Sequence, residues 1–316
     1  MKAIIAVAVA AALVGAYFMT HNSKPEPTPE DLFIDYVAEY RKSYFSKDEY
    51  NMRLGVFAAN LKKIESMNAN PNDEAVYGIN HLSDWTEEEF TKLLGFRAGP
   101  EQVDEVAFNP LGQDKDWRSS KDMTPVKDQA SCGSCWAFAA AETIESAFAA
   151  THGHDLYDLS EQELVDCSRS YGNHGCSGGW QYYAFKYAED NKGLNTESEY
   201  PYHAKDETCK KVTTKRHAPI LSHFKVKNTQ SSLEGAIDQA PIAVAVDASN
   251  WSQYRSGDFS NCGSRVNHAV VAVGHTDSHW IVRNSWGARW GEKGFIYLKK
   301  GNTCNILNYA YGVKAV

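Results

Sequence analysis

The 316-residue sequence lacks any cluster of basic side chains. Its 32 Lys and Arg residues are outnumbered by 40 Asp and Glu residues, which gives a net charge of −8. A nucleic-acid partner requires a basic surface, so the composition argues against nucleic-acid binding. With 43% hydrophobic and 23% charged residues, the chain shows no sign of being fibrous or disordered. We therefore expect a folded globular protein with one large core or two medium ones.

Long apolar runs are also scarce, and the one exception lies at the N-terminus. Residues 3–19 form an apolar run after a lysine, which is typical of a secretory signal peptide. Small residues at Val14 and Ala16 predict removal of residues 1–16, although an uncleaved membrane anchor is the alternative. No other segment approaches the length of a membrane span, so we expect entry into the secretory pathway without stable membrane association.

Cysteine is absent from the first 131 residues. The chain contains seven cysteines: Cys132, Cys135, Cys167, Cys176, Cys209, Cys262 and Cys304. In an oxidising compartment an odd number predicts three disulfides and one unpaired thiol. Such a thiol in a secreted protein is a candidate nucleophile.

The front third of the chain differs from the remainder in pattern and charge. Apolar residues recur at helical spacing over residues 32–68, which predicts two amphipathic helices. Residues 99–115 contain two prolines and no periodicity, which indicates an exposed linker open to proteolysis. Residues 1–110 hold 10 basic and 17 acidic side chains, a net charge of −7, so this segment carries nearly all of the negative charge.

Beyond the linker, a helical part precedes a strand-rich part. Helices are predicted at residues 135–150 and 179–191, and a third begins at Ser160 with Glu163 in a capping-box pattern. Strands are predicted at residues 242–246, 269–273, 280–283 and 295–298. We therefore predict an α+β fold whose helical half, residues 111–220, meets a β-rich half, residues 221–316, at a cleft.

Cys135 is the best candidate nucleophile. It begins an alanine-rich helix, where free backbone N–H groups and the helix dipole favour a thiolate. Gln129 could donate a hydrogen bond to a developing oxyanion together with the Cys135 N–H group. Alternatively, Cys132 and Cys135 could form a zinc knuckle or a redox pair, but the sequence has neither a second close cysteine pair nor a preceding strand.

The base for such a thiol must come from a distant part of the chain. His268 stands at the start of a predicted strand, 133 residues after Cys135. Asn284 follows the next strand and could hold the imidazole through its side-chain oxygen, while Trp286 would keep water away. A thiol and an imidazole in this arrangement are suited to cleaving peptide bonds.

These residues resemble the papain family of cysteine peptidases, and within it the cathepsin L-like branch. The sequence QASCGSCW at residues 129–136, with its downstream His and Asn, matches a known signature of that family. The resemblance implies that Cys135 is the nucleophile, His268 the general acid and base, Asn284 the orienting residue and Gln129 the oxyanion donor. It implies no metal and no cofactor.

The resemblance extends to residues 17–110, which look like an inhibitory propeptide of that branch. The matching positions are Glu49, Arg53, Phe57, Asn60, Ile64 and Asn68, followed by Gly78, Asn80, Leu82 and Asp84. An ordinary amphipathic helix would explain the spacing but not these polar residues. Similar propeptides block the cleft until acid loosens them, and protonating the acidic side chains of this segment would remove ion pairs.

The resemblance also implies a cysteine pairing that counting could not select. It pairs Cys132 with Cys176, Cys167 with Cys209, and Cys262 with Cys304, which leaves Cys135 free. It further implies that the mature chain begins within residues 111–114, after the propeptide has been removed.

By the same resemblance, six residues would contact the substrate: Gly178, Gly179, Trp180, Val266, Ala269 and Tyr309. The two glycines would let an extended substrate pair with the enzyme backbone, although they could simply form a disulfide-anchored turn. The other four would surround the second residue before the cut. Because Trp180 and Tyr309 are bulky, we predict a shallow pocket that prefers Val, Leu or Pro to Phe.

The predicted function is that of an endopeptidase zymogen. It would act on proteins or peptides as a monomer, with its own propeptide as inhibitor, in a lysosome, a vacuole or outside the cell. The alternative is a catalytically inactive, protease-like secreted binding or inhibitory protein. Asn250 begins the sole N-glycosylation sequon, which could equally be an unmodified loop.

Overall fold

The computed structural model describes residues 26–210 and 215–316. The predicted signal peptide, residues 1–16, therefore lies outside the described residues. The chain divides into two compact units, Met1–Leu54 and Gly55–Val316. Within the described ranges, no helix is both long enough and apolar enough to cross a bilayer.

Both helices predicted for the front segment are present. Helix α1 is Pro29–Glu39 and helix α2 is Lys47–Asn68. Thr28 caps α1 in a reciprocal capping box with Asp31, which satisfies backbone N–H groups at the helix start. The ring of Phe33 is fully buried and packs on neighbouring tyrosine rings of the first unit. These contacts give the short first unit an aromatic core.

The second unit contains five further helices in the described residues. They are α3 (Glu87–Thr91), α4 (Cys135–Thr151), α5 (Glu161–Cys167), α6 (Gln181–Asp190) and α7 (Gln230–Gln239). Helix α4 is buried on all sides over its first fifteen residues. Its alanines allow this, because small side chains let the neighbouring helices and strands approach closely. The N-terminus of this buried helix carries Cys135.

Eleven strands are present in the described residues. They are β1 (Val76–Tyr77), β2 (Glu105–Val106), β3 (Lys115–Asp116), β4 (Ile220–Val226), β5 (Ile242–Val246), β6 (Tyr254–Ser256), β7 (Asp258–Phe259), β8 (His268–His275), β9 (His279–Arg283), β10 (Phe295–Lys299) and β11 (Tyr311–Ala315). Nine form one mixed sheet in the order β2-β4-β11-β5-β8-β9-β10-β7, with β3 also paired to β8. Strands β1 and β6 form a separate antiparallel pair. The fully buried β8 begins at His268.

The α+β architecture predicted from the sequence is confirmed, with local differences. At the start of α5, the Ser160 hydroxyl accepts the N–H of Glu163 at 3.0 Å, as predicted. The carboxylate of Glu163 does not return to Ser160 and instead accepts from the backbone and side-chain nitrogens of Asn195. Helix α7 lies in a region that was predicted to be mainly strands. The sequence did not predict this helix because Gly235 and several polar residues obscure its apolar periodicity. Its cap is Thr229.

The segment predicted to be an irregular linker is partly ordered by pairing. Within residues 99–115, β2 pairs with β4 in parallel, and β3 begins at Lys115. The Phe108 ring packs on Phe224 at 5.3 Å between centroids. Residues 105–110 therefore lie against the sheet and helix α7, although the Leu111 side chain remains largely exposed.

Three disulfides join the cysteines in the pairs that the family resemblance implies. They are Cys132–Cys176, Cys167–Cys209 and Cys262–Cys304. Each closes a loop of 42 to 44 residues, and a cross-link across such a loop restricts the unfolded chain. Cys135 is the cysteine that stays free.

A buried charge cluster fixes the segment that leads to Gln129. The ammonium of Lys127 lies 2.7 Å from carboxylate oxygens of Glu145, Asp158 and Glu161. Although burial alone would lower it, these carboxylates raise the pKa of Lys127. Because Glu145 belongs to α4 and Glu161 to α5, the cluster ties the Lys127 segment to both helices.

Candidate active site

Cys135 is fully buried at the start of α4. Its Sγ accepts the backbone N–H of Ala269 at 3.5 Å. Burial raises the pKa of the thiol to about 11, although the N–H groups of Ala269, Gly95 and Trp136 act in the opposite direction. The helix start thus supplies the donors predicted to stabilise a thiolate, but in this state desolvation outweighs them.

His268 lies beside Asn284, as the sequence predicted. The His268 Nε2 is 2.8 Å from the Asn284 Oδ1, which also accepts the Ser285 N–H. A carbonyl oxygen only accepts hydrogen bonds, so Nε2 carries the proton and Nδ1 presents its lone pair. Within the described residues, Nδ1 has no hydrogen-bond partner. Burial lowers the pKa of His268 to about 4, although the bond to Asn284 acts to raise it.

Two tryptophans enclose the imidazole. The ring of Trp286 lies 4.8 Å from that of His268, and the ring of Trp251 lies 6.1 Å away, centroid to centroid. Both indoles are fully buried. The hydrogen bond between His268 and Asn284 is therefore shielded from water, which is the role predicted for Trp286. Trp251 was not predicted to take part, because no local sequence signal distinguishes it.

Gln129 is buried and its side-chain amide is held at both ends. Its Nε2 donates to the carbonyl of Leu93 at 3.0 Å and to that of Cys132 at 2.9 Å. The hydroxyl of Ser285 donates to its Oε1 at 2.7 Å. Ser285 therefore determines which way the amide points. Ser285 was not among the predicted site residues, and its position beside Asn284 is the one sequence signal that could have indicated it.

Residues 93–97 of the front segment lie across the site that holds Cys135. The Gly179 N–H donates to the carbonyl of Gly95 at 2.9 Å, and the Arg97 N–H donates back to Gly179 at 2.8 Å. The Phe96 N–H donates to the carbonyl of Asn267 at 3.0 Å. A Cβ atom on Gly95 would lie 2.0 Å from the Gly133 carbonyl oxygen, so this close approach requires glycine. Gly179 thus pairs with the extended backbone of this chain's own front segment, and its pairing with a substrate stays a prediction.

The Phe96 ring lies against two of the predicted pocket residues. Its centroid is 6.3 Å from that of Trp180 and 5.2 Å from that of Tyr309, and Phe96 is 7% exposed. Val266 also lines the space beside it, and Ala269 lies fully buried next to His268. Trp180 meets the Phe96 ring edge to face, at 89°. The bulk of Trp180 and Tyr309 therefore does not by itself exclude a phenyl ring. The predicted preference for Val, Leu or Pro over Phe was based on the opposite assumption.

Comparison with known proteins places this geometry in a family. Residues 111–313 match the papain family cysteine proteases, and residues 33–90 match the cathepsin propeptide inhibitor domain. The chain belongs to the papain family of cysteine proteases. Because it combines the protease domain with a propeptide inhibitor domain, it has the organisation of a protease zymogen.

Individual relatives span nearly the whole chain. Digestive cysteine proteinase 3 of Homarus americanus is 38% identical over 291 residues, which cover 86% of this chain and 90% of the relative. Cathepsin L 1 of Paramecium tetraurelia is 38% identical over 311 residues, covering 93% and 96%. The structure of digestive procathepsin L 3 from Tenebrio molitor larval midgut superposes with a TM-score of 0.82 at 33% identity, covering 92% of this chain and 99% of that one.

Proposed function

We propose that this chain is the latent precursor of an endopeptidase in which Cys135 attacks the peptide carbonyl. The observation that carries the proposal is the fixed tautomer of His268, whose protonated Nε2 faces Asn284 while Nδ1 stays free to accept a proton. The thiol proton moves to Nδ1, the Sγ–carbon bond forms, and Gln129 Nε2 with the Cys135 N–H stabilises the oxyanion. His268 then protonates the leaving amine, and water hydrolyses the acyl-enzyme.

Latency follows from the position of residues 93–97. The Leu93 carbonyl accepts from the donor that the oxyanion would need, Gln129 Nε2. The same segment covers the thiol, whose burial raises its pKa to about 11, while the buried imidazole has a pKa lowered to about 4. Removing the segment readmits water and releases Gln129. A thiolate and imidazolium pair then becomes accessible in the open cleft.

Acid is the proposed trigger, because carboxylates help to hold the front segment in place. Glu74 pairs with Lys299 at 2.7 Å, and Glu101 pairs with Lys225 at 2.5 Å. Glu101 also accepts from the hydroxyl of Tyr311. The front segment carries a net charge of −7, and lowering that negative charge weakens its attraction to basic side chains of the protease domain. Loosening and proteolytic removal of residues 17–110 would follow, which leaves a mature chain that begins within residues 111–114.

The remaining features of the proposal concern substrate and setting. We propose a monomer that acts on extended peptides, held by Gly178 and Gly179, with a pocket at Trp180 and Tyr309 that also admits Phe. The organisation as a zymogen with three disulfides supports passage through the secretory pathway to a lysosome, a vacuole or the cell exterior. Measuring kcat/KM for peptides with Val, Leu, Pro or Phe at the second position before the cut tests the pocket.

A labelling experiment tests the central proposal. The purified precursor is acidified and treated with a thiol-reactive epoxide, and the products are mapped by mass spectrometry. We expect label at Cys135 in a processed form, together with peptide cleavage. Cys135→Ala should abolish both. Labelling without cleavage would instead support an inactive, protease-like binding protein.

A further inference from the structure

A buried carboxylate meets the chain at the boundary between the front segment and the protease domain. Asp238, near the end of α7, has a side chain that is 1% exposed. Its Oδ1 lies 3.0 Å from Nε2 of His275. Its Oδ2 accepts the backbone N–H of Leu111 at 2.7 Å. One oxygen of this carboxylate therefore accepts a neutral backbone amide at the start of the predicted mature chain.

The chain after Leu111 is held by contacts that do not involve the front segment. Strand β3 pairs antiparallel with β8, so that Lys115 lies opposite His275. The indole N–H of Trp117 donates to the Ile237 carbonyl at 2.7 Å. Because these contacts lie within the protease domain, Leu111 should stay near Asp238 after residues 17–110 have left.

Two other charged groups near Asp238 have contacts of their own. Glu234, one turn earlier on α7, lies 2.8 Å from the ammonium of Lys300. The ammonium of Lys115 lies over the ring of Trp117, 3.9 Å from its centroid. A buried carboxylate is stabilised more by a cationic donor than by a neutral amide. The Oδ2 side of Asp238 is thus suited to receive a new positive charge.

We propose that Asp238 is the binding site for the N-terminal ammonium of the mature enzyme, formed at Leu111. Hydrolysis of the bond between Pro110 and Leu111 consumes one water, leaves a carboxylate on Pro110 and an amine on Leu111. The amine takes up a proton, and the resulting ammonium group donates to Oδ2 of Asp238 in place of the amide N–H. The contact between His275 Nε2 and Oδ1 of Asp238 remains. The inference rests on the proposed processing and deepens it, because it selects Leu111 within residues 111–114 as the first residue of the stable mature form.

The test creates this N-terminus without using the protein's own activity. The recognition sequence of an exogenous protease is inserted between Pro110 and Leu111 in the full-length Cys135→Ala variant. After cleavage, acetic anhydride modifies the α-amine near pH 7, and mass spectrometry gives the rate. We expect acylation about tenfold slower than in the same product carrying Asp238→Asn, since a one-unit rise in the pKa of the amine lowers its reactive fraction tenfold.

Two matched products keep the outcome interpretable. Glu234→Gln removes a carboxylate one turn away and should leave the slow rate unchanged. A product cut to begin at Gly112 retains Asp238 but places its amine one residue away, so it should react at the fast rate even if Asp238→Asn fails to fold. Equal rates for the products that begin at Leu111 and Gly112 would overturn the proposal. Because Cys135 is absent, this result does not depend on peptidase activity.

Discussion

At the scale of single residues, the central feature is that one desolvated site shifts two pKa values in opposite directions. Burial disfavours the charged form of each group, so it raises the pKa of Cys135 to about 11 and lowers that of His268 to about 4. Between those values the thiol and the imidazole are both neutral. The proposed catalytic pair would therefore be held in an unreactive protonation state in the precursor.

The alkylation rate of Cys135 should report this state. Because pH 7 lies about four units below the pKa of the precursor thiol, only about 10⁻⁴ of the thiol is ionised to thiolate. We expect iodoacetamide to react at least about a hundredfold more slowly with the intact precursor than with the processed enzyme. In the precursor the rate should rise about tenfold per pH unit up to a pH of about 11. A precursor that reacts as fast as the processed form at pH 7 would refute the neutral pair.

Ser285 offers a test of how Gln129 is positioned. Its hydroxyl donates to the Gln129 Oε1 and so directs the amide N–H groups. In the processed enzyme we expect Gln129→Ala to lower kcat about 10²–10³-fold, the usual effect of losing an oxyanion donor. Ser285→Ala should lower kcat by a smaller factor, about tenfold, with little change in KM, because the amide remains but is less well oriented. An unchanged kcat for Ser285→Ala would remove Ser285 from the positioning role.

At the scale of elements, the ends of helices and strands assemble the site. Helix α4 begins with Cys135, β8 begins with His268, and Asn284 directly follows β9. These positions were predictable because apolar runs and turn residues are local signals. Helix α7 was not predicted, and it forms the surface against which residues 105–110 lie.

Replacing Gly235 in α7 should have opposite effects in the two forms of the protein: it should weaken the packing of the linker in the precursor and stabilise the processed enzyme. A Cβ atom there would lie 2.6 Å from the Asn109 carbonyl carbon and 2.9 Å from the Pro110 nitrogen. Gly235→Ala should therefore displace the linker and speed processing. Alanine is also favoured over glycine inside a helix by about 1 kcal/mol, so the processed variant should have a higher Tm than processed wild type.

Gly55→Ala in α2 is the matched control. Its Cβ would have no heavy atom within 4 Å, so it should add helix propensity to the precursor without a clash. Processing is followed by gel electrophoresis and Tm by calorimetry. If Gly235→Ala were processed no faster than Gly55→Ala, the linker would not depend on its contact with α7.

At the scale of the whole molecule, the part of the propeptide within the second unit is attached to the protease domain by polar contacts. These contacts lie apart from residues 93–97, which cover Cys135. Strand β1 pairs with β6. Asn80 Nδ2 donates to the Ser252 carbonyl at 2.8 Å, and the Ser83 hydroxyl donates to Gln253 Oε1 at 2.9 Å. Both Asn80 and Ser83 are buried. These hydrogen bonds join neutral groups, so they do not depend on an ionised carboxylate.

Asn80→Ala should weaken this attachment at every pH. It removes the donor to Ser252 and leaves a buried carbonyl without a partner, at a cost of about 1–3 kcal/mol. The precursor should then begin processing at a higher pH, and at a fixed acidic pH it should process faster. Asn72→Ala is the control, because Asn72 is exposed and its backbone N–H, which the substitution keeps, donates to Asn70 Oδ1. An unchanged pH dependence for Asn80→Ala would show that this contact does not hold the propeptide.

The sequence by itself placed Cys135 at a helix start, placed His268 and Asn284 at strand ends, and predicted the α+β architecture, because each depends on signals carried within a few consecutive residues. Counting cysteines left one thiol free, but only the family resemblance implied the pairing. The tertiary structure alone decided that Ser285 orients Gln129, that Phe96 fills the pocket and that Asp238 meets Leu111. It also decided that the thiol and imidazole are neutral, since desolvation depends on groups brought together from distant parts of the chain.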